Sequence, residues 1–133
     1  MKKIAVILAL CVCSAVLLAQ DQKSEKDKQK QFFEAIDLQV ERLTISLDLE
    51  DWQVFYVDSI LTHDYTALQQ EFEQLSQAKV SNTDIFYATQ DKWQEQIYQS
   101  FQKVFTKEQW EKYLKTGAAR EKKARDKRAA KKK

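Results

Sequence analysis

From Phe32 onward, apolar residues recur at helical intervals. Phe33, Ile36, Val40 and Leu43 are spaced 3, 4 and 3 residues apart, which places them on one face of a first helix. Capping and β-branched residues from Thr44 to Asp48 then break the pattern. A second helix is predicted from about Glu50 to Ala78. Its stripe of Val54, Val57, Leu61, Tyr65, Leu68, Phe72 and Leu75 falls within about 60° of one line at roughly 100° per residue. Trp52, Tyr56 and His63 lie on the opposite side, so the first half of this helix is apolar on two faces. Asn82 or Thr83 caps a third helix, predicted from about Asp84 to Val104. Phe86, Trp93, Ile97, Phe101 and Val104 form its main stripe, and Tyr87, Tyr98 and Phe105 form a second one about 100° away. A fourth helix starts after Thr106, with Trp110, Tyr113 and Leu114 on its apolar face.

No segment alternates with period two for long enough to read as a strand. The fold class is therefore all-α: three to four mostly antiparallel helices, long amphipathic second and third helices, and a basic C-terminal helical extension. Beyond Gly117 no large apolar residue appears. That extension is expected to be helical by propensity but detached or disordered at its end.

Composition supports this reading. Glycine occurs once and proline never, which argues against a turn-rich β fold and against glycine-rich phosphate loops. The first 19 residues carry a different pattern. Met1-Lys2-Lys3 is basic, Ile4 to Leu18 is apolar apart from Ser14, and Ala19 offers the small residue of a cleavage site. Residues 1–19 are read as a cleaved secretion signal, with an uncleaved membrane anchor as the alternative, and residues 20–31 as a polar linker or frayed helix start. Residues 32–117 form the helical domain and residues 118–133 the basic tail. Export would place the protein in the periplasm. Cys11 and Cys13 both lie in the apolar run, preceded by Leu10 and Val12, so lipidation is not expected. Cleavage would leave no cysteine for a disulfide or for thiol chemistry.

Charge is distributed unevenly. Residues 32–117 carry 7 basic and 15 acidic side chains, a net of −8. Residues 118–133 carry 9 basic and 2 acidic ones, a net of +7. The tail has three readings: a solvated helix, a contact with an acidic protein surface (its own body or a partner), or a contact with anionic lipid or polymer. Arg120, Lys122, Lys123, Arg125, Lys127 and Arg128 are the candidates for an anionic-surface contact. Nucleic-acid binding is not expected, because export argues against it and no aromatic residue interleaves the tail to stack on bases.

Catalytic chemistry finds little support. His63 is the only histidine, and one histidine without cysteine builds no ordinary zinc site. Asp58, Asp64 and Glu71 read as a solvated helix face. No Ser/His/Asp constellation can be assembled, so neither an enzyme nor a cofactor is expected. All fifteen aromatic residues lie between Phe32 and Tyr113. Two readings fit them: an aromatic monomer core, or an apolar surface for another chain, either a copy of itself or a client. On the second reading Trp52, Tyr56, Tyr87, Tyr98 and Phe105 would line the dimer or client surface.

One local pattern occurs twice. Phe105-Thr106-Lys107-Glu108-Gln109 reads apolar-Thr-x-x-Gln, a capping box in which Thr106 and Gln109 satisfy each other's backbone N–H. Leu49 and Gln53 repeat the spacing, with Glu50 in place of threonine. There the reciprocal cap is expected to be lost, with Asp48 or Ser46 capping instead. In its paired L-T-x-x-Q-like segments, the exported, all-helical, cysteine-poor chain resembles the Spy/CpxP (LTxxQ) family of periplasmic proteins over roughly Leu47 to Leu114. The residues that carry the likeness are Leu49, Gln53, Phe105, Thr106 and Gln109. The resemblance implies a thin, curved dimer of long antiparallel helices. It also implies ATP-independent holding of unfolded envelope proteins, or stress sensing through a partner. The motif glutamines and threonine would be structural. Some members of that family sense metals, for which this chain lacks the histidines. The alternative is an interaction module with one dedicated envelope partner, or one docked on an anionic surface through its tail.

Overall fold

A computed structural model describes the backbone of residues 2–132 and the side chains of residues 24–132. The expected secretion signal, with Cys11, Cys13 and Ala19, falls outside the residues whose side chains are described. The described chain is all-α, with α1 (Lys2–Leu47), α2 (Asp51–Gln77), α3 (Thr83–Val104) and a last segment made of α4 (Lys107–Tyr113) and α5 (Ala119–Ala130). A wide turn at Leu114–Ala118 joins α4 to α5. Gly117 adopts φ 110° in it, a conformation that glycine takes at little cost. Among the described residues no helix is long and apolar enough to cross a membrane.

The chain divides into two units, Met1–Ala35 and Ile36–Lys133. In the first, residues 20–31, read as a linker or a frayed helix start, are helical. Lysine, glutamine and glutamate are good helix formers, and no glycine or proline interrupts them. An ion pair from Lys30 to Glu34 and an edge-to-face contact between Phe32 and Phe33 (5.3 Å) follow at its C-terminal end.

In the second unit the helical stripes become the core. Ile36, Val40, Leu43 and Leu47 are buried along α1, Val57, Leu61 and Leu68 along α2, and Ile97 and Phe101 along α3. Contacts between α2 and α3 run in opposite senses along the two sequences. Gln53 meets Val104, Asp64 meets Gln96, and Phe72 meets Phe86, so the pair is antiparallel. Both α1 and α2 end without glycine. Asp48 (φ 53°) and Lys79 (φ 55°) take the left-handed turn position, and the next N–H reaches back to close the end, from Leu49 to Thr44 and from Val80 to Leu75. Asn82 caps α3 by accepting the Asp84 N–H at 2.9 Å.

The tail is docked on the acids of α3, contrary to the detachment expected from its apolar pattern and as in the second of its three charge readings. Arg128 makes a two-point bond to Asp91 of α3 (2.7 Å each), and Glu95 takes Lys122 and Arg125 (3.3 Å each). The reading from apolar residues alone fails here because charged hydrogen bonds from Lys122, Arg125 and Arg128, and no large apolar side chain of α5, hold the helix.

Candidate functional site: a cross-locked pair of glutamines and the faces around it

The two repeated motifs meet in space. Gln53, third residue of α2, and Gln109, third residue of α4, are buried to 1% and 9% exposure. Their carboxamides bond head to tail: Gln53 Nε2 donates to Gln109 Oε1 at 2.7 Å, and Gln109 Nε2 donates to Gln53 Oε1 at 3.0 Å. Each oxygen also accepts the backbone N–H that starts its own helix, Glu50 N at 3.0 Å and Thr106 N at 2.9 Å. Each nitrogen also donates to a carbonyl at the end of the helix that precedes its partner's helix. Gln53 reaches Val104 O at 3.0 Å, and Gln109 reaches Asp48 O at 3.3 Å.

Val104 precedes Gln109 by five residues and Asp48 precedes Gln53 by five, so the two halves are wired alike. Both donors and both acceptors of each amide are used, which is the full capacity of the group. The pair also satisfies N–H and C=O groups that helix ends leave without intrahelical partners. A buried polar pair is tolerable when every member is bonded, and this one is.

The two N-caps differ. Thr106 Oγ1 accepts the Gln109 N–H at 3.3 Å, closing the capping box. The expectation that Glu50 abolishes the first box needs correction. Both halves of the box are in place: Gln53 Oε1 accepts the Glu50 N–H, and the Glu50 side chain lies at the Gln53 N–H, although it makes no cap hydrogen bond of the kind Thr106 makes. The Glu50 carboxylate instead takes the Trp52 indole N–H at 2.6 Å. Ser46 donates to Leu43 O and Asp48 occupies the left-handed turn, so neither caps α2. What the two sites share is the glutamine.

Leu49 and Phe105 precede the two N-caps and are buried at 9% and 7%. Phe105 therefore does not belong to an exposed surface. It is the C-cap of α3 in extended backbone (φ −81°, ψ 144°), so helical phase no longer sets its direction. Its ring packs with Phe101 (5.0 Å) and Tyr113 (5.6 Å). Tyr98 is half-buried. Trp110 meets its ring at 4.9 Å, and Lys122 and Arg125 lie over it at 5.9 and 5.5 Å. The other three candidate surface residues are open: Trp52 and Tyr56 at 51% and Tyr87 at 59%. Trp52, Tyr56 and Phe55 form a chain of edge-to-face contacts on α2 (6.2 and 5.7 Å). Tyr87 lies on α3, and no aromatic contact joins it to that group among the described residues.

The six basic candidates separate into two sets. Lys122, Arg125 and Arg128 face α3 and its acids, and Arg125 is 8% exposed. Arg120, Lys123 and Lys127 are exposed and make no ion pair among the described residues. Burial raises the Glu95 carboxyl, and hydrogen bonds from Gln99, Lys122 and Arg125 outweigh it, holding the group below the usual range. Hydrogen bonding to Asp91 raises Arg128, and hydrogen bonding to Asp126 raises Lys122. Burial pushes the Tyr113 phenol up to about 12.

Sequence reasoning missed the glutamine pairing, for which the repeated apolar-x-x-x-Gln spacing was the signal. It also misplaced Asp64, which is 3% exposed and accepts Gln96 Nε2 at 3.0 Å, with His63 Nδ1 at 2.7 Å. No group of three or more His, Cys, Asp or Glu side chains that could hold a metal occurs among the described residues. No family model, curated protein or solved structure matches the chain.

Proposed function

We propose that this chain is an exported, non-enzymatic envelope protein that holds unfolded protein chains without ATP, or adapts an envelope stress response, in the manner of the Spy/CpxP family. The observation that carries the reading is the cross-locked pair of L-T-x-x-Q-like helix starts. It fixes the helices through buried neutral amides and leaves an aromatic row, Trp52, Phe55 and Tyr56, on the surface. Exposed aromatic side chains supply contact area at little conformational cost, which suits a protein that grips varied apolar segments. A homodimer would use the same kind of surface, and no cofactor is required.

Aggregation of a reduced model client, followed by light scattering with equimolar chain, tests this. Suppression that weakens in a Trp52→Ser/Tyr56→Ser variant is expected. Unchanged aggregation in the presence of the wild-type chain would end the proposal. A second reading is favoured by one feature, the unpaired stripe of Arg120, Lys123 and Lys127. It could contact an anionic surface while the opposite face of α5 stays docked. Salt-sensitive binding to anionic vesicles, lost when these three become glutamine, would support that reading.

A further inference from the structure

The surface between the C-terminal part of α1 and the start of α2 holds an apolar cleft of about 450 Å³. Val40, Ile45, Val54 and Phe55 supply its apolar lining, and Asp37, Glu41 and Asp58 stand around it. Ile45 and Phe55 are 74% and 67% exposed, and Trp52 and Tyr56 extend the apolar area along α2. The three acids are exposed, and none enters an ion pair among the described residues. Asp58 accepts only a long bond from Thr62, 3.4 Å. From Ile36 to Asp58 the chain carries six acids and a single cation, Arg42.

The acids on α3, by contrast, are taken by α5. The cleft thus combines an apolar floor with unneutralised carboxylates beside it. An apolar surface next to a charge lowers the local dielectric and strengthens attraction to an opposite charge. Open faces of Trp52, Phe55 and Tyr56 would add cation–π attraction for Lys or Arg.

We propose that this cleft binds polypeptide segments that carry a large apolar side chain flanked by lysine or arginine. The proposal rests on the client-holding reading and narrows its substrates to cationic, apolar-anchored segments. Charge complementarity selects this occupant. A second copy of the chain would present the exposed cations of its own docked α5, Arg120, Lys123 and Lys127, without a large apolar anchor beside them.

The test uses two fluorescent peptides with the same Leu-Trp-Leu centre, one flanked by lysines and one by glutamates, titrated with the full chain and read by anisotropy. The lysine peptide is expected to bind roughly tenfold or more tightly at low salt, with the advantage shrinking as salt rises. Phe55→Ser should weaken both peptides. The triple variant Asp37→Asn, Glu41→Gln, Asp58→Asn should erase the preference and leave folding intact, because all three side chains are exposed. Equal binding of the two peptides, or a preference that survives the triple variant, overturns the proposal. So does a stable dimer that Phe55→Ser splits into monomers, because a second copy would then occupy the cleft. Client aggregation in parallel separates the two claims. Suppression without peptide preference sinks the cleft proposal alone. Peptide preference without suppression sinks the holding reading and leaves a cationic-segment site.

Discussion

Two polar joins hold the helices of the Ile36–Lys133 unit, and they are built on opposite terms. At the Gln53–Gln109 junction, two neutral amides are buried and every donor and acceptor is bonded. At the α5 dock, cations meet carboxylates near the surface, and one buried nitrogen, Arg125 Nη2, has no bonded partner among the described residues. The first join sets the ends of four helices at once. The second fastens one helix along its length. A neutral, fully bonded pair gains nothing from long-range charge and loses nothing to salt, whereas exposed ion pairs are screened.

The largest expected effect comes from opening the junction. Gln53→Ala or Gln109→Ala leaves a buried amide and two backbone groups short of partners, and should cost about 3 kcal/mol of unfolding free energy. Because the two halves are wired alike, the two costs should match, and neither should change with salt. Urea denaturation at low and high salt measures both points. A large difference between the two variants would break the symmetry argument.

Arg125→Met should cost less, about 1 kcal/mol, because Glu95 keeps Lys122 and the methionine retains apolar contact with Tyr98. The loss should be confined to α5, and amide hydrogen exchange would show faster exchange there while α2 and α3 stay protected. Global unfolding by this variant would mean that the dock is part of the core.

The helix starts give a finer comparison. Thr106→Ala should cost about 1 kcal/mol, the usual loss on removing an N-cap hydroxyl. Glu50→Ala should cost clearly less, because the Glu50 side chain makes no cap hydrogen bond and its carboxylate is turned to the Trp52 indole. Thermal unfolding of the two variants ranks them, and equal losses would mean that Glu50 caps as well as threonine does.

Acid should separate the two joins with the smallest effect. The Glu95 carboxyl is held below its ordinary value of 4.5. A depressed carboxylate stabilises the fold above that ordinary value and loses its contribution as pH falls through the lower, folded one. Protection of α5 amides should therefore hold at neutral pH and decline below about 4.5. Amides around Gln53 and Gln109 should not follow that titration. Parallel loss in both regions would contradict the distinction between them.

The fold was legible because helical spacing carried it. The stripes on α1, α2 and α3 hold much of the core, from Ile36 and Val40 to Leu61 and Phe101, although Phe33, the first of the α1 stripe, is exposed and Val54, Tyr65 and Trp93 are half-buried. Two features were not legible, for different physical reasons. Periodicity ends where a helix ends, so the reading that extended the α3 phase to Phe105 put a buried ring on the surface. Apolar patterning is also blind to charge-held contacts, and α5 docks with no large apolar side chain. The junction lay between these cases. Each glutamine was legible as a helix-start residue, but nothing local says that two helix starts 56 residues apart share their amides. The open aromatics Trp52 and Tyr56 were legible as an off-face pair, and Tyr98 was not, because its cover comes from α5 and Trp110.

The central claim is that Gln53 and Gln109 act as one unit, and a double-mutant cycle tests it most directly. Unfolding free energies of the wild type, Gln53→Ala, Gln109→Ala and the double variant give the coupling energy. The expected coupling is about 2 kcal/mol, with the double variant little less stable than either single one. Additive losses, with coupling near zero, would mean that the two carboxamides serve their own helix starts separately, and the cross-lock would have to be abandoned.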